Sequence, residues 1–281
     1  SSDVCSSDLN MNTKVQTAIL ERFGLTKMPF LGRTKQSFKY DEFNANLDFI
    51  STVFYSRQIA AVTGAAGTGK SSLIFYSMNE LDPSEFRVVG AELSNPNKKS
   101  LYKTLAIKLG LKPAFNSEDI KNQIITYFNE ENSQGKFNCV IIDEAHTLSI
   151  PMFDEIRSFY DEGGNFSLIL AGLPSIINQL NLSVNLPLKQ RISLFLDCAG
   201  LSIIQTKEYI TNQLDIAICK NPIIDEKCFP VIHSMTSGIP RKINQLCYAA
   251  MFEAYKLKTS IITVEIFKTA EEKLSYGKQK I

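Results

Sequence analysis

Eight residues, Gly64-Ala-Ala-Gly-Thr-Gly69-Lys70-Ser71, fill the pattern G-x-x-x-x-G-K-[ST]. Each position suits one task in holding a triphosphate. Gly64, Gly67 and Gly69, with Ala65, Ala66 and Thr68 between them, let the backbone wrap phosphates with its N–H groups, and a following helix N-terminus adds a favourable dipole. Lys70 brings a point charge to the β and γ oxygens, and the Ser71 hydroxyl suits Mg²⁺. A second stretch, Cys139-Val-Ile-Ile-Asp143-Glu144-Ala-His146, is an apolar run ending in two acids. Asp143 is placed to hold Mg²⁺, directly or through water, and Glu144 to act as general base on the attacking water. Two acids at a strand end mean little alone. Joined to the phosphate loop, they become specific. His146 reads as a hydrogen-bonded structural histidine. The guanine-reading pattern N-K-x-D is missing, because Asn97-Lys-Lys-Ser lacks the acid. The expected cofactors are therefore ATP and Mg²⁺, and the expected reaction is Mg-dependent ATP hydrolysis.

These residues need a scaffold, and the apolar pattern supplies one. Strands are expected at 59–63, 86–93, 140–143, 166–171 and 192–196, alternating with helices at 70–81, 97–109, from 117, and 152–160. Pro96 is expected at a first helical position and Ser117 as a cap. Such alternation predicts a parallel sheet with helices on both faces. Beyond Gly200 only helical patterns remain. Thr206, Asp225 and Thr263 are expected to cap three helices, and Pro240 to open another. The expected division is an α/β core over 11–200, with an N-terminal adenine-side segment, and a small all-helical lid over 201–281.

Composition fits that scheme: of 281 residues, 44% are hydrophobic and 21% charged, ordinary values for a globular protein. The formal charge of +1 gives no global basic excess, so any nucleic-acid surface must be a local patch. No apolar run reaches the length of a membrane helix, and six cysteines without C-x-x-C or cysteine–histidine spacing point to a reducing, cytoplasmic setting. The first ten residues, SSDVCSSDLN, are polar and aperiodic. They read as a non-native or disordered leader, with Met11 as the preferred start.

With these motifs in order, the chain resembles the AAA+ ATPases, and within them the ExeA/TniB-type group that includes the TnsC-like and MuB-like transposon ATPases. Beyond the two ATP motifs the resemblance rests on Phe23-Gly-Leu-Thr-Lys-Met-Pro-Phe30, Leu168-Ile-Leu-Ala-Gly-Leu-Pro174, Leu188-Lys-Gln-Arg191-Ile and Gly238-Ile-Pro-Arg241-Lys-Ile-Asn244. It implies a P-loop AAA+ fold with a five-stranded parallel sheet and a helical lid. It implies that Arg191 is an arginine finger for a neighbouring subunit and that Arg241 touches the γ-phosphate in cis, while Pro29 and Phe30 line the adenine pocket. Relatives often carry glutamine where this chain has Leu173, which implies slow hydrolysis or water positioned by Glu144 alone.

The preferred function is regulation of DNA transposition, by a homo-oligomer (ring or filament) that forms with ATP on duplex DNA, without sequence preference, and recruits a transposase. A short chain that ends soon after the lid matches that branch. The ExeA-like secretion ATPase normally adds a membrane segment and a cell-wall-binding domain, and no membrane contact is expected here. A nucleotide switch in signalling or defence is the third reading. For DNA, Lys98, Lys99 and Lys103 cluster at one helix start, Lys99 and Lys103 four apart on one face, with Lys108 and Lys112 nearby. A solvated helix face explains the same lysines equally well.

Overall fold

A computed structural model describes residues 14–31, 38–92, 96–163, 165–219 and 221–276. The polar leader at 1–10, including Cys5, and Leu93 at the expected end of the second strand lie outside them. Two compact units divide the chain: Lys39–Ala199, and Ser1–Phe38 with Gly200–Ile281.

The first of these is the α/β unit. In chain order it holds α2 (Asp41–Ser56), β1 (Ile59–Thr63), α3 (Lys70–Asn79), β2 (Phe86–Glu92), α4 (Lys98–Lys108), α5 (Ser117–Ser133) and β3 (Phe137–Asp143). There follow α6 (Ile150–Gly163), β4 (Phe166–Gly172), α7 (Ser175–Leu180), α8 (Leu186–Lys189) and β5 (Ile192–Asp197). The five strands form one sheet in the order β2-β3-β4-β1-β5, all pairs parallel. Central β1 and β4 are buried along their whole length, whereas edge strand β5 alternates. Parallel central strands covered on both faces have to read as continuous apolar runs, and IAAVT and FSLILAG do.

Pleating sends alternate residues to opposite faces. Ile59, Ala61, Val140, Ile142, Leu168 and Leu170 meet Leu101, Leu105, Ile124, Phe128, Phe153 and Ile156 of α4, α5 and α6. Val62, Cys139, Ile141, Ile169 and Ala171 meet Leu47, Ile50 and Phe54 of α2 and Leu73 and Ile74 of α3. Each large side chain buried this way contributes roughly 1.5–3 kcal/mol. The sheet is thereby clamped from both sides, and its strand ends are held in place.

The second unit is helical: α1 (Lys14–Phe23), α9 (Ile203–Ile216), α10 (Cys228–Thr236), α11 (Pro240–Lys256) and α12 (Val264–Tyr276). Here the expected boundary moves. The N-terminal segment belongs with these helices rather than with the α/β core. Thr26 donates its N–H to Ala217 O at 3.0 Å, and Gln16 Nε2 reaches Tyr248 Oη at 3.3 Å. Gly238 is forced by close approach: a Cβ there would stand 2.0 Å from Leu201 O, and its φ is +67°.

Four helix starts also differ from expectation. Asn97, not Pro96, opens α4, exchanging hydrogen bonds with Ser100 in a capping box. Asn116 rather than Ser117 caps α5, accepting the Asp119 N–H. Ser202 caps α9 with Gln205, leaving Thr206 buried within the helix. Asp225 stands ahead of α10, where its carboxylate accepts the Lys227 N–H at 3.0 Å. In three of the four a side-chain acceptor, Asn97, Asn116 or Ser202, stands within a few residues of the expected start, whereas Lys227 precedes α10 without a side-chain cap.

Candidate active site

β1 delivers the chain to Gly64 at the C-terminal edge of the sheet, where open α/β folds place their ligands. A Cβ on Gly64 would lie 2.5 Å from Cys198 O. Only glycine lets the loop leave the strand beside the end of β5. Thr68, itself buried, donates its hydroxyl to Ala65 O at 3.0 Å and closes the loop on itself. Lys70, 7% exposed, donates Nζ to Gly64 O at 2.8 Å and to Ala65 O at 3.0 Å. A buried ammonium needs acceptors, and the loop's carbonyls provide them.

Asp143 ends β3, two strands away from β1 in the sheet. Its Oδ2 accepts the Ser71 hydroxyl at 3.3 Å, so the start of α3 reaches across β4 to meet it. Its Oδ1 accepts the Glu144 N–H at 2.8 Å. Glu144 adopts φ 54°, ψ 31°, a left-handed conformation that costs an L-residue roughly 1–2 kcal/mol. Thr147 holds it there, donating both its N–H and its hydroxyl to Glu144 O at 2.9 Å. The turn throws the Glu144 carboxylate out of the strand line, half-exposed.

The oxygens of Ser71 and Asp143 are the hard ligands that Mg²⁺ takes, one or two from protein and the rest from water and phosphate. Among the described residues no three His, Cys, Asp or Glu side chains gather into a metal cluster. That donor set fits a metal carried with a nucleotide.

Arg191 lies just before β5, at the opposite end of that strand from Cys198 and the phosphate loop. Arg241 is exposed in the first turn of α11, and Pro29 and Phe30 are buried in the helical unit, Phe30 with φ 64°. The lysine cluster divides. Lys98 bonds Glu118 at 3.0 Å and Glu155 at 3.1 Å, which raises its own pKa through the Glu118 contact first. Lys108 donates to Gly90 O at 2.6 Å. Lys99 sits 5.1 Å over the ring of Phe115, which is 90% exposed, while Lys103 is exposed without an ion pair among the described residues.

Three further residues join the site, Thr63 and Cys198 without a motif to announce them and His146 from the end of the acid stretch. Thr63 donates its hydroxyl to Asp197 Oδ1 at 3.1 Å, tying β1 to the end of β5. Cys198 flanks the loop, and burial pushes its thiol up to about 11, leaving it protonated and inert at neutral pH. His146 lies between Glu144 and the end of β4. A histidine two places after an acid pair was the one available signal.

The model of the AAA domain family matches residues 53–180. Residues 53–180 are thus similar to an AAA domain. General secretion pathway protein A of Aeromonas hydrophila is 25% identical over 251 residues, 83% of this chain and 44% of that one. The chain thus spans less than half the length of that relative. The Aeropyrum pernix ORC2 protein shares 9% identity at a TM-score of 0.65, covering 87% of this chain and 70% of its own. Drosophila ORC bound to DNA gives 13% and 0.63, with 96% and 68% covered, and a Thermotoga maritima RuvB mutant gives 14% and 0.54, with 83% and 69%. At such identities the likeness is one of fold. The five-stranded parallel sheet with its covering helices is a P-loop AAA+ fold.

Proposed function

We propose that the chain binds Mg-ATP at Gly64–Ser71, hydrolyses it with Glu144 as base, and uses ATP to assemble with copies of itself on duplex DNA. One observation carries the ATPase reading. Lys70, Ser71, Asp143 and Glu144, from two separate motifs, converge at one edge of the sheet, with Ser71 and Asp143 in hydrogen-bond contact. Lys70 would bind the β and γ oxygens, Ser71 and Asp143 would hold the metal, and Glu144 would take the proton of the attacking water. Bound Mg²⁺ would neutralise phosphate charge. Arg191, at the other end of its strand, suits a neighbour's site better than its own. The roles of Arg241 at the γ-phosphate and of Pro29 and Phe30 at the adenine rest on the resemblance.

Support for DNA comes from the exposed Lys99 and Lys103 and from the likeness to an ORC bound to DNA. Regulation of transposition, with a transposase as partner, is the reading taken from the resemblance to transposon ATPases. A second reading, an ATPase of the secretion kind, is favoured by the similarity to general secretion pathway protein A. No helix among the described residues is long and apolar enough to cross a membrane. The deciding experiment measures duplex binding by fluorescence anisotropy, with and without a non-hydrolysable ATP analogue, alongside light scattering. ATP-dependent assembly that binds DNA at low salt supports the DNA reading. Assembly that ignores DNA turns the assignment to secretion, and ATP binding undetectable at millimolar nucleotide overturns both.

A further inference from the structure

His146 occupies the single helical turn Ala145–Thr147, between the candidate base and the end of the strand beside the phosphate loop. Its ring packs directly on β4. A Cβ added to Gly172 would meet His146 N at 3.0 Å and its Cβ and Nδ1 at 3.4 Å, so a side chain there would have to push the His146 turn aside by a few tenths of an ångström. Gln179 Nε2, on α7, holds the His146 carbonyl at 3.2 Å, and only 17% of the imidazole side chain is exposed.

The nitrogen facing this corner has two claimants. Nδ1 lies 3.4 Å from Leu173 N and 3.5 Å from Glu144 Oε2. A neutral imidazole nitrogen is either a donor or an acceptor, never both. Accepting from Leu173 requires a bare Nδ1, which repels the carboxylate. Donating to Glu144 requires a proton on Nδ1, which repels the Leu173 N–H. Both distances are long, as expected of a nitrogen placed between two exclusive partners. Leu173 is also the position where the strand end brings no polar side chain, so its backbone N–H is the polar group it offers on this side.

We propose that His146 is a two-position relay, its Nδ1 either parking the Glu144 carboxylate or taking the Leu173 N–H and setting that carboxylate free to face the water. The aim of the base is thereby coupled to the tip of β4. His146 is a positioning residue, not a catalytic one. The proposal rests on Glu144 being the base.

Asparagine and glutamine separate this role from simple packing, because asparagine places an amide atom near Nδ1 and glutamine places one near Nε2. His146→Ala and His146→Gln should each lower kcat about tenfold or more, the usual size of a lost orienting contact, with KM for ATP within about twofold. His146→Asn should recover most of the rate. The chain has two histidines, 146 and 233, so ¹⁵N-histidine spectra report the tautomer directly. With Mg²⁺ and a non-hydrolysable ATP analogue, the His146 signals should change tautomer, and the Glu144→Ala variant should show a single tautomer with or without nucleotide. Equal rates in all three His146 variants, or a tautomer indifferent to nucleotide and to Glu144, would overturn the relay. Melting curves exclude variants that fail to fold, and the spectra of the unmodified chain remain decisive if all three do. Wild-type hydrolysis by Glu144→Gln would instead remove the base itself, a different failure.

Discussion

Arg191 is gripped by Asp161: Nε meets Oδ1 at 2.5 Å and Nη2 meets Oδ2 at 2.8 Å, a bidentate fork. The remaining nitrogen donates to Pro187 O at 2.6 Å. Asp161 is shared, because Arg157 Nη1 also reaches its Oδ2 at 2.9 Å. An arginine that is to enter a neighbour's ATP site has to leave this fork first. Arg191→Ala should therefore keep ATP affinity and lose assembly-stimulated hydrolysis by about 10³-fold, the lower range for such fingers. Asp161→Asn, which weakens the grip, should bring the onset of stimulated hydrolysis to lower protein concentration. A titration of ATPase rate against protein concentration measures both.

Lys70 is attached to the loop carbonyls in the structure and, under the proposed function, would turn to phosphate in the complex. Lys70→Ala should abolish binding of a fluorescent ATP analogue. It should also lower stability by about 1 kcal/mol for each loop hydrogen bond lost. Anisotropy and thermal melting, run on the same preparation, read the two effects separately.

For Glu144→Gln, ATP affinity should match wild type while single-turnover hydrolysis falls by about 10²–10⁴-fold. The amide keeps the size of the side chain but cannot take the water's proton. Asp143 and Ser71, left intact, would still hold the proposed metal, and rapid-quench measurement of the first turnover gives the ratio.

Duplex binding should separate the lysines. Lys99→Glu with Lys103→Glu should spare assembly but lose DNA, and should flatten the dependence of affinity on salt. Lys98→Glu should instead destabilise the fold, since it sets a third acid against Glu118 and Glu155. Filter binding across a salt series, with melting curves beside it, tells these outcomes apart.

Acid should weaken the helical unit through Glu253. Lys273 and then Lys256 hold its carboxyl below the usual 4.5. Around that value the unfolded chain binds more protons than the folded one, so stability rises with pH there. The stabilisation is complete above about 4.5 and is lost as pH falls through the lower folded value. Glu253→Gln should melt earlier than wild type at neutral pH, and the gap should close as pH falls below 4.5. Melting temperatures over that range, followed by circular dichroism, check the sign.

The phosphate loop, the acid pair and the five strands were legible in the sequence because their signals are local. Glycine spacing, an apolar run of strand length and an acid at its end each act within about ten residues. Helix caps were less legible, since Asn116 and Ser202 each stood near a rival of similar chemistry and Asn97 stood beside Pro96. What the sequence alone left open were meetings between distant segments. The order β2-β3-β4-β1-β5, which sets Asp143 opposite Ser71, comes from which strand faces bury together. So does the placing of α1 with the C-terminal helices. Lys98 and Lys99 look alike in sequence, yet one is spent on Glu118 and Glu155 and the other faces solvent over Phe115. Asp161 and His146 gain their roles only where α6 passes Arg191 and the turn after β3 meets the end of β4. Charge and hydrogen-bond pairing fall off within a few ångströms, so only the packed chain decides which polar groups are near enough to act on one another.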